Sequence, residues 1–137
     1  MNLKYKEGSV AFIINELNEI VVIIRGDTIS VPGGKREQDE SGLDCAVRET
    51  FEETGIVLNP KLSTILHAGI CGANGEGQKA VPYWVSAFVF FVKKQDILFD
   101  PVEKDKVPFW VNLELFEKNN AFFQYNFDAI SKLKSIL

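Results

Sequence analysis

The sequence predicts an α/β domain in which a mixed β-sheet is layered between helices. Three observations carry this expectation. Runs rich in β-branched and aromatic residues stand before and after one helix-patterned stretch, and a second stretch at helical spacing closes the chain. The resulting order of strands, helix, strands, helix is that of a layered α/β fold. A length of 137 residues suits a single domain over 1–137, and 46% hydrophobic content is ample for a packed core.

Ser9 to Ile14 and Ile20 to Arg25 are β-branched segments joined by a polar connection of hairpin length, so they are expected to pair antiparallel. Val22 and Ile24 then share a face that meets Phe12 across the ladder. Arg25 closes the second strand ahead of the turn signal Gly26-Asp27. Thr28 to Val31 is a short strand leading into Pro32-Gly33-Gly34, where paired glycines permit a positive-φ turn and a close backbone approach to a ligand.

The first helix runs from Ser41 to Gly55. Ser41 with Asp44 makes a capping-box pattern, and Asp39 and Glu40 place negative charge at the positive end of the helix dipole. Gly55 closes the helix, because glycine adopts the left-handed conformation without steric cost. At about 100° per residue, Leu43, Ala46, Val47, Thr50, Phe51 and Thr54 form the face to be buried. Leu62 to Ile70 then reads as a strand carrying the lone histidine, His67, and Cys71 to Lys79 as a glycine-rich loop. Val81 to Val92 is the longest apolar run and predicts a central strand with Pro82 at its beginning. Lys93 to Asp105 is a charged connection, and Phe109 to Val111 resumes an extended pattern. Leu113 to Phe116 makes a helical turn, and Phe127 to Leu137 a last helix capped by Asn126.

Glu49, Glu52 and Glu53 break local rules. They stand three and four places apart on the first helix, so they project together and repel one another. Two of them occupy the last turn, where the dipole favours cations. A solvated acidic face is the ordinary reading of an isolated E-x-x-E-E. The alternative is a hard divalent cation: magnesium takes oxygen ligands and is commonly shared between carboxylates and substrate phosphates. Arg48 is placed to orient one of the carboxylates. Lys35 and Arg36, beside the glycine pair, either meet phosphate or stand in solvent, and Tyr83 and Trp84 either stack on a nucleobase or pack in the core.

The stretch from Gly34 to Ile56 resembles the Nudix box, G-x5-E-x7-R-E-U-x-E-E-x-G-U, where U is apolar. Gly34, Glu40, Arg48, Glu49, Glu52, Glu53, Gly55 and Ile56 stand at the matching positions, and Thr50 departs at the first apolar one. Its methyl can still pack and its hydroxyl can bond to a carbonyl one turn earlier. Seven specified charged or glycine positions match by chance on the order of once in 10^8 placements. The resemblance implies a Nudix-type α/β/α sandwich and a metal-dependent hydrolase acting on a nucleoside diphosphate linked to some group X. It implies Mg2+, or Mn2+ in its place, held by Glu52, Glu53, Glu49 and the Gly34 carbonyl, with Arg48 in support. It also implies a phosphate contact at Arg25 and a general base that is either Glu49 or a downstream acid. Among Glu76, Glu103 and Asp105, Glu103 is preferred for its place ahead of Trp110-Val111. Downstream marks of dinucleoside polyphosphate, ADP-ribose and NADH hydrolases are absent, which leaves a nucleoside triphosphate pyrophosphohydrolase. A nucleotide or nucleotide-sugar sensor, or a hydrolase of nucleotide sugars or 5'-capped RNA, is the alternative.

Fifteen basic against nineteen acidic residues give a net charge of −4, without the basic footprint of a non-specific nucleic-acid binder. The expected partner is a small-molecule nucleotide. The first ten residues lack the apolar stretch of a signal peptide, and no apolar run approaches the eighteen residues of a membrane span. Cys45 and Cys71 have neither metal-site spacing nor a disulfide framework. The expectation is a soluble, reduced, cytoplasmic protein in which Cys45 is a structural thiol.

Overall fold

A computed structural model of the chain describes residues 6–25, 28–71, 83–119 and 123–137. Strands β1 (Lys6–Ile14), β2 (Glu19–Arg25), β3 (Thr28–Ser30) and β4 (Gly33–Lys35) precede helix α1 (Gly42–Thr54). Then come β5 (Thr64–Cys71), β6 (Tyr83–Phe91), β7 (Val107–Asn112), α2 (Leu113–Asn119) and α3 (Phe123–Ile136). The turn expected at Gly26-Asp27, the glycine-rich loop after Cys71, Glu76 and Pro82 lie outside the described residues.

The described strands form one mixed sheet in the order β3-β2-β1-β6-β5, with β4 added to β1 and β7 to β2. β1 is its centre. It runs parallel to β6 from Lys6↔Tyr83 to Ile14↔Phe91 and antiparallel to β2 and β4. Its residues alternate between two cores: Phe12 and Ile14 face one, Ala11 and Ile13 the other. A strand buried on both faces is apolar throughout. The first core is closed by Phe116 of α2 and by Ala129, Ile130 and Leu133 of α3. The second is closed by Ala46 of α1, with Leu43 and Val47 packed against it. The α/β/α layering is as the sequence predicts.

Four local expectations are corrected. Phe51 is 44% exposed, whereas Glu53 is only 2% exposed. The buried face of α1 is therefore rotated away from Phe51, and Glu53, about 20° from Ala46 around the helix, lies inside it. Apolarity locates a stripe, but a hydrogen bond from β4 decides which residues go inward. Thr50 is fully buried, yet its hydroxyl has no hydrogen-bond partner among the described residues; it is Thr54 Oγ1 that donates to the Thr50 carbonyl, at 2.6 Å. Gly33 and Gly34 are strand residues pairing with Val10 and Ser9, and among the described glycines only Gly55 has positive φ. Asn126 lies within α3, which begins at Phe123, so it does not cap that helix.

Phe116 is fully buried and meets Phe12 edge to face at 6.4 Å. Phe116→Ala should cost about 3–5 kcal/mol in urea unfolding, from lost burial plus the cavity left behind. A loss below about 1 kcal/mol would contradict the packing described.

Candidate active site

The site is assembled where α1, β4 and the segment 97–106 meet. Ser41 accepts the Asp44 amide at 3.0 Å, and Gly55, at φ +81°, donates its N–H to the Phe51 carbonyl at 2.9 Å, so the helix begins and ends as its sequence predicts. β4 then crosses beside the helix at close range. A Cβ at Gly34 would lie 2.5 Å from Glu49 Cδ, and one at Gly33 would lie 2.4 Å from the Ser9 carbonyl oxygen. At Gly33 the obstacle is main chain and leaves room only for hydrogen, whereas a side chain at Gly34 would push the Glu49 carboxylate aside. The close approach lets the Gly33 N–H donate to Glu53 Oε1 at 2.8 Å, within the protein interior.

The third arm comes from the connection between β6 and β7, far downstream of the helix. The Asp100 N–H donates to the Thr54 carbonyl and the Glu103 N–H to the Glu52 carbonyl, both at 2.9 Å. Carbonyls in the last turn of a helix have no partner within it, and these two amides supply one. Seated in this way, Glu103 joins Glu49 and Glu53: one carboxylate oxygen from each lies within 4.8 Å of the others. Glu53 is buried, and Glu49 and Glu103 are partly so. An all-oxygen, anionic donor set of this size fits a hard divalent cation such as Mg2+ or Mn2+.

Arg48 divides the acidic residues. Its Nε and one terminal nitrogen grip Glu40 at 2.7 and 3.0 Å, a bidentate pair. The other terminal nitrogen reaches Glu49 at 3.0 Å and Glu52 at 3.1 Å, and the Lys35 carbonyl accepts a further bond at 3.1 Å. Glu52, expected among the metal-holding carboxylates, is thus drawn to Arg48, while Glu103, expected as a candidate general base, stands in the cluster with Glu49 and Glu53. Hydrogen bonds from Arg48 hold the Glu40 carboxyl below the usual range. For Glu49, burial prevails over Arg48, and with Glu52 and Glu103 nearby its pKa is raised. Burial also pushes the Cys45 thiol up to about 11, which makes it an inert structural thiol. Its Sγ lies 3.5 Å from the Gly34 carbonyl, the group expected to face a metal.

The remaining expected residues are scattered around this centre. Lys35 is exposed at the end of β4, and Arg36 is paired with Glu7 of β1. Trp84, 39% exposed, sits opposite Glu7 in the β1–β6 ladder. The side chains of Arg25 and Tyr83 lie outside the described residues, although their backbones belong to β2 and β6. Asp105 is exposed and lies 3.8 Å from Lys106. His67 Nδ1 is 2.8 Å from Lys132 Nζ, joining β5 to α3. Two contributors escape sequence reasoning: Gly33 as a donor and Asp100 as part of the seat for Glu103. Both act through backbone amides, which leave no signature in side-chain type.

A NUDIX domain family model matches residues 4–129. The chain belongs to the Nudix hydrolase family. Among its relatives, a putative 8-oxo-dGTP diphosphatase of Bacillus subtilis is 38% identical over 53 residues, which are 37% of this chain and 36% of that protein. The Nudix fold is shared with a NUDIX hydrolase from Nitrosomonas europaea, at TM-score 0.76 and 17% identity, over 96% of this chain and 90% of that one. A MutT/nudix family protein from Enterococcus faecalis gives TM-score 0.66 and 20% identity, over 82% of this chain and 45% of that one. This Nudix chain therefore spans less than half the length of the Bacillus and Enterococcus proteins that it matches. No helix among its described residues is long and apolar enough to cross a membrane.

The Arg48–Glu40 pair gives a pH signature. A carboxyl whose pKa is lowered by folding contributes stability above its unfolded value, near 4.5, and loses it as pH falls through the folded value. Glu40→Gln should therefore unfold at lower urea than the unmodified protein at pH 7. The gap should close as the pH falls below about 4.5, and a gap constant from about pH 7 to about pH 3 would contradict the ion-pair origin.

Proposed function

We propose that the protein is a divalent-cation-dependent pyrophosphohydrolase that converts a nucleoside triphosphate and water into a nucleoside monophosphate and pyrophosphate. The observation that carries this reading is the convergence of Glu49, Glu53 and Glu103 beside the glycine strand β4. The partial match to a protein named a putative 8-oxo-dGTP diphosphatase supports the triphosphate as substrate.

A divalent cation bound at the cluster supplies positive charge against the bridging phosphates and lowers the pKa of attacking water. Glu53 and Glu103 are the carboxylates for holding it. Glu53 is oriented by Gly33, and Glu103 by its own amide on the Glu52 carbonyl. Glu49 has one oxygen tethered to Arg48, which leaves the other to share the cation or accept a proton. Its raised proton affinity suits a general base that must work near neutral pH. In the step itself, water oxygen bonds to one phosphorus, the bond from that phosphorus to the bridging oxygen breaks, and the water proton passes to Glu49. Glu52 and Glu40 serve by fixing the Arg48 fork, and hence the Glu49 carboxylate. Arg25 and Lys35 are assigned to substrate phosphate, and Tyr83 and Trp84 to the nucleobase.

Release of pyrophosphate and phosphate from a panel of nucleotides, with and without Mg2+, tests this function. Pyrophosphate should appear from a triphosphate only with the metal; a bound nucleotide left intact by every metal tried would make the protein a sensor. Glu53→Gln keeps an acceptor for the Gly33 amide, so the fold should melt no earlier. Turnover should drop by at least about a hundredfold, the scale on which losing one electrostatic contributor acts. Equal loss of fold and activity would instead assign Glu53 a structural role.

A further inference from the structure

The segment that carries Glu103 is held in an unusual way. At its start, Ile97 and Phe99 pack against the core, and Phe99 meets the Trp110 ring at 5.8 Å. Beyond Phe99, the side chains of Asp100, Val102, Lys104 and Asp105 are all largely exposed, with Val102 at 55% and the Asp100 side chain at 82%. From Asp100 to Asp105 only Pro101 and Glu103 are half-buried, so side-chain burial does little to locate this stretch. What locates it is backbone on backbone: the amides of Asp100 and Glu103 on the carbonyls of Thr54 and Glu52. The strap passes directly over Gly55. A Cβ there would fall 2.3 Å from the Asp100 carbonyl oxygen, 2.6 Å from its carbon and 2.8 Å from its nitrogen. All three are main-chain atoms, which cannot swing aside as a side-chain tip can.

We propose that Gly55 is a positioning residue for the cation site, because its missing side chain lets the strap sit down and bring the Glu103 carboxylate to Glu49 and Glu53. This rests on the cation reading above. Ending the helix is a different role, and asparagine can fill it: it also adopts the left-handed conformation at a helix end, but it carries a Cβ. Gly55→Asn therefore keeps the cap and lifts the strap, whereas Gly55→Ala disturbs both.

Titration with Mn2+, followed by the electron paramagnetic resonance signal of the free ion, tests the proposal in the full chain without any turnover. Gly55→Asn should bind Mn2+ about tenfold more weakly, the size of loss seen when a ligand's supporting contacts are removed. Glu103→Gln should lose a similar amount, and the double variant should be no weaker than either single one, since both act through the same carboxylate. Amide exchange at Asp100 and Glu103 should accelerate in Gly55→Asn while the α3 amides keep their protection. Phe116→Ala, destabilised in the opposite layer, should bind Mn2+ within about twofold of the unmodified protein, which separates positioning from general loss of stability. Should Gly55→Asn fail to fold, Pro101→Gly loosens the strap without placing anything beneath it, and should weaken Mn2+ in the same direction. Unchanged Mn2+ affinity in the variant that folds, or losses that add in the double variant, would overturn the proposal. Absence of Mn2+ binding by the unmodified protein would instead remove the cation reading, and this proposal with it.

Discussion

The buried hydrogen bond from the Gly33 amide to the Glu53 carboxylate is the constraint on which the rest of the site depends. Taking a carboxylate out of water costs several kcal/mol unless donors or counter-charge replace its hydration. Glu53 bears that penalty on a helix face that also holds Ala46 and Thr50. The bond ties the last turn of α1 to β4, and β4 is laddered to the central strand β1. Turning the helix about its axis would break this buried bond, and the direction in which Glu49 projects is set by the same restraint.

Around that point the protein manages an excess of negative charge by sorting it. Arg48 gathers Glu40, Glu49 and Glu52, and Glu49 also stands with Glu53 and Glu103 in the cluster. The cluster keeps its like charges close even so, and folding alone has no use for such an arrangement. The surroundings enforce this breach of local rules, which is the pattern expected of a functional or strained site. Rigid parts do the enforcing: a helix capped at both ends, a glycine strand, and a strap bonded through its backbone.

Much of this is legible from residue order. Ser41 and Gly55 bound the helix because capping chemistry is local, and Glu40, Arg48, Glu49, Glu52 and Glu53 form a spaced motif that the family model covers. The strands of the two cores are visible as apolar runs. The departures share one cause. Helical periodicity turns Phe51 inward and Glu53 outward because it sees only side-chain polarity, whereas the partner of Glu53 is a backbone amide twenty residues away. Gly33 and Gly34 read as a turn for their conformational freedom, yet they are strand residues, Gly33 leaving space for the Ser9 main chain and Gly34 for the Glu49 carboxylate.

The sequence by itself determined the class of fold, the helix that bears the acidic residues, and the chemistry available there, since these follow from local propensity and from which side chains are present. Only the tertiary structure decided which carboxylates stand together: Glu52 is turned to Arg48, and Glu103 is seated against Glu49 and Glu53 by main-chain bonds. The reason is that peptide N–H and C=O groups are the same in nearly every residue, so the contacts they make across the fold leave no mark on the order of side chains.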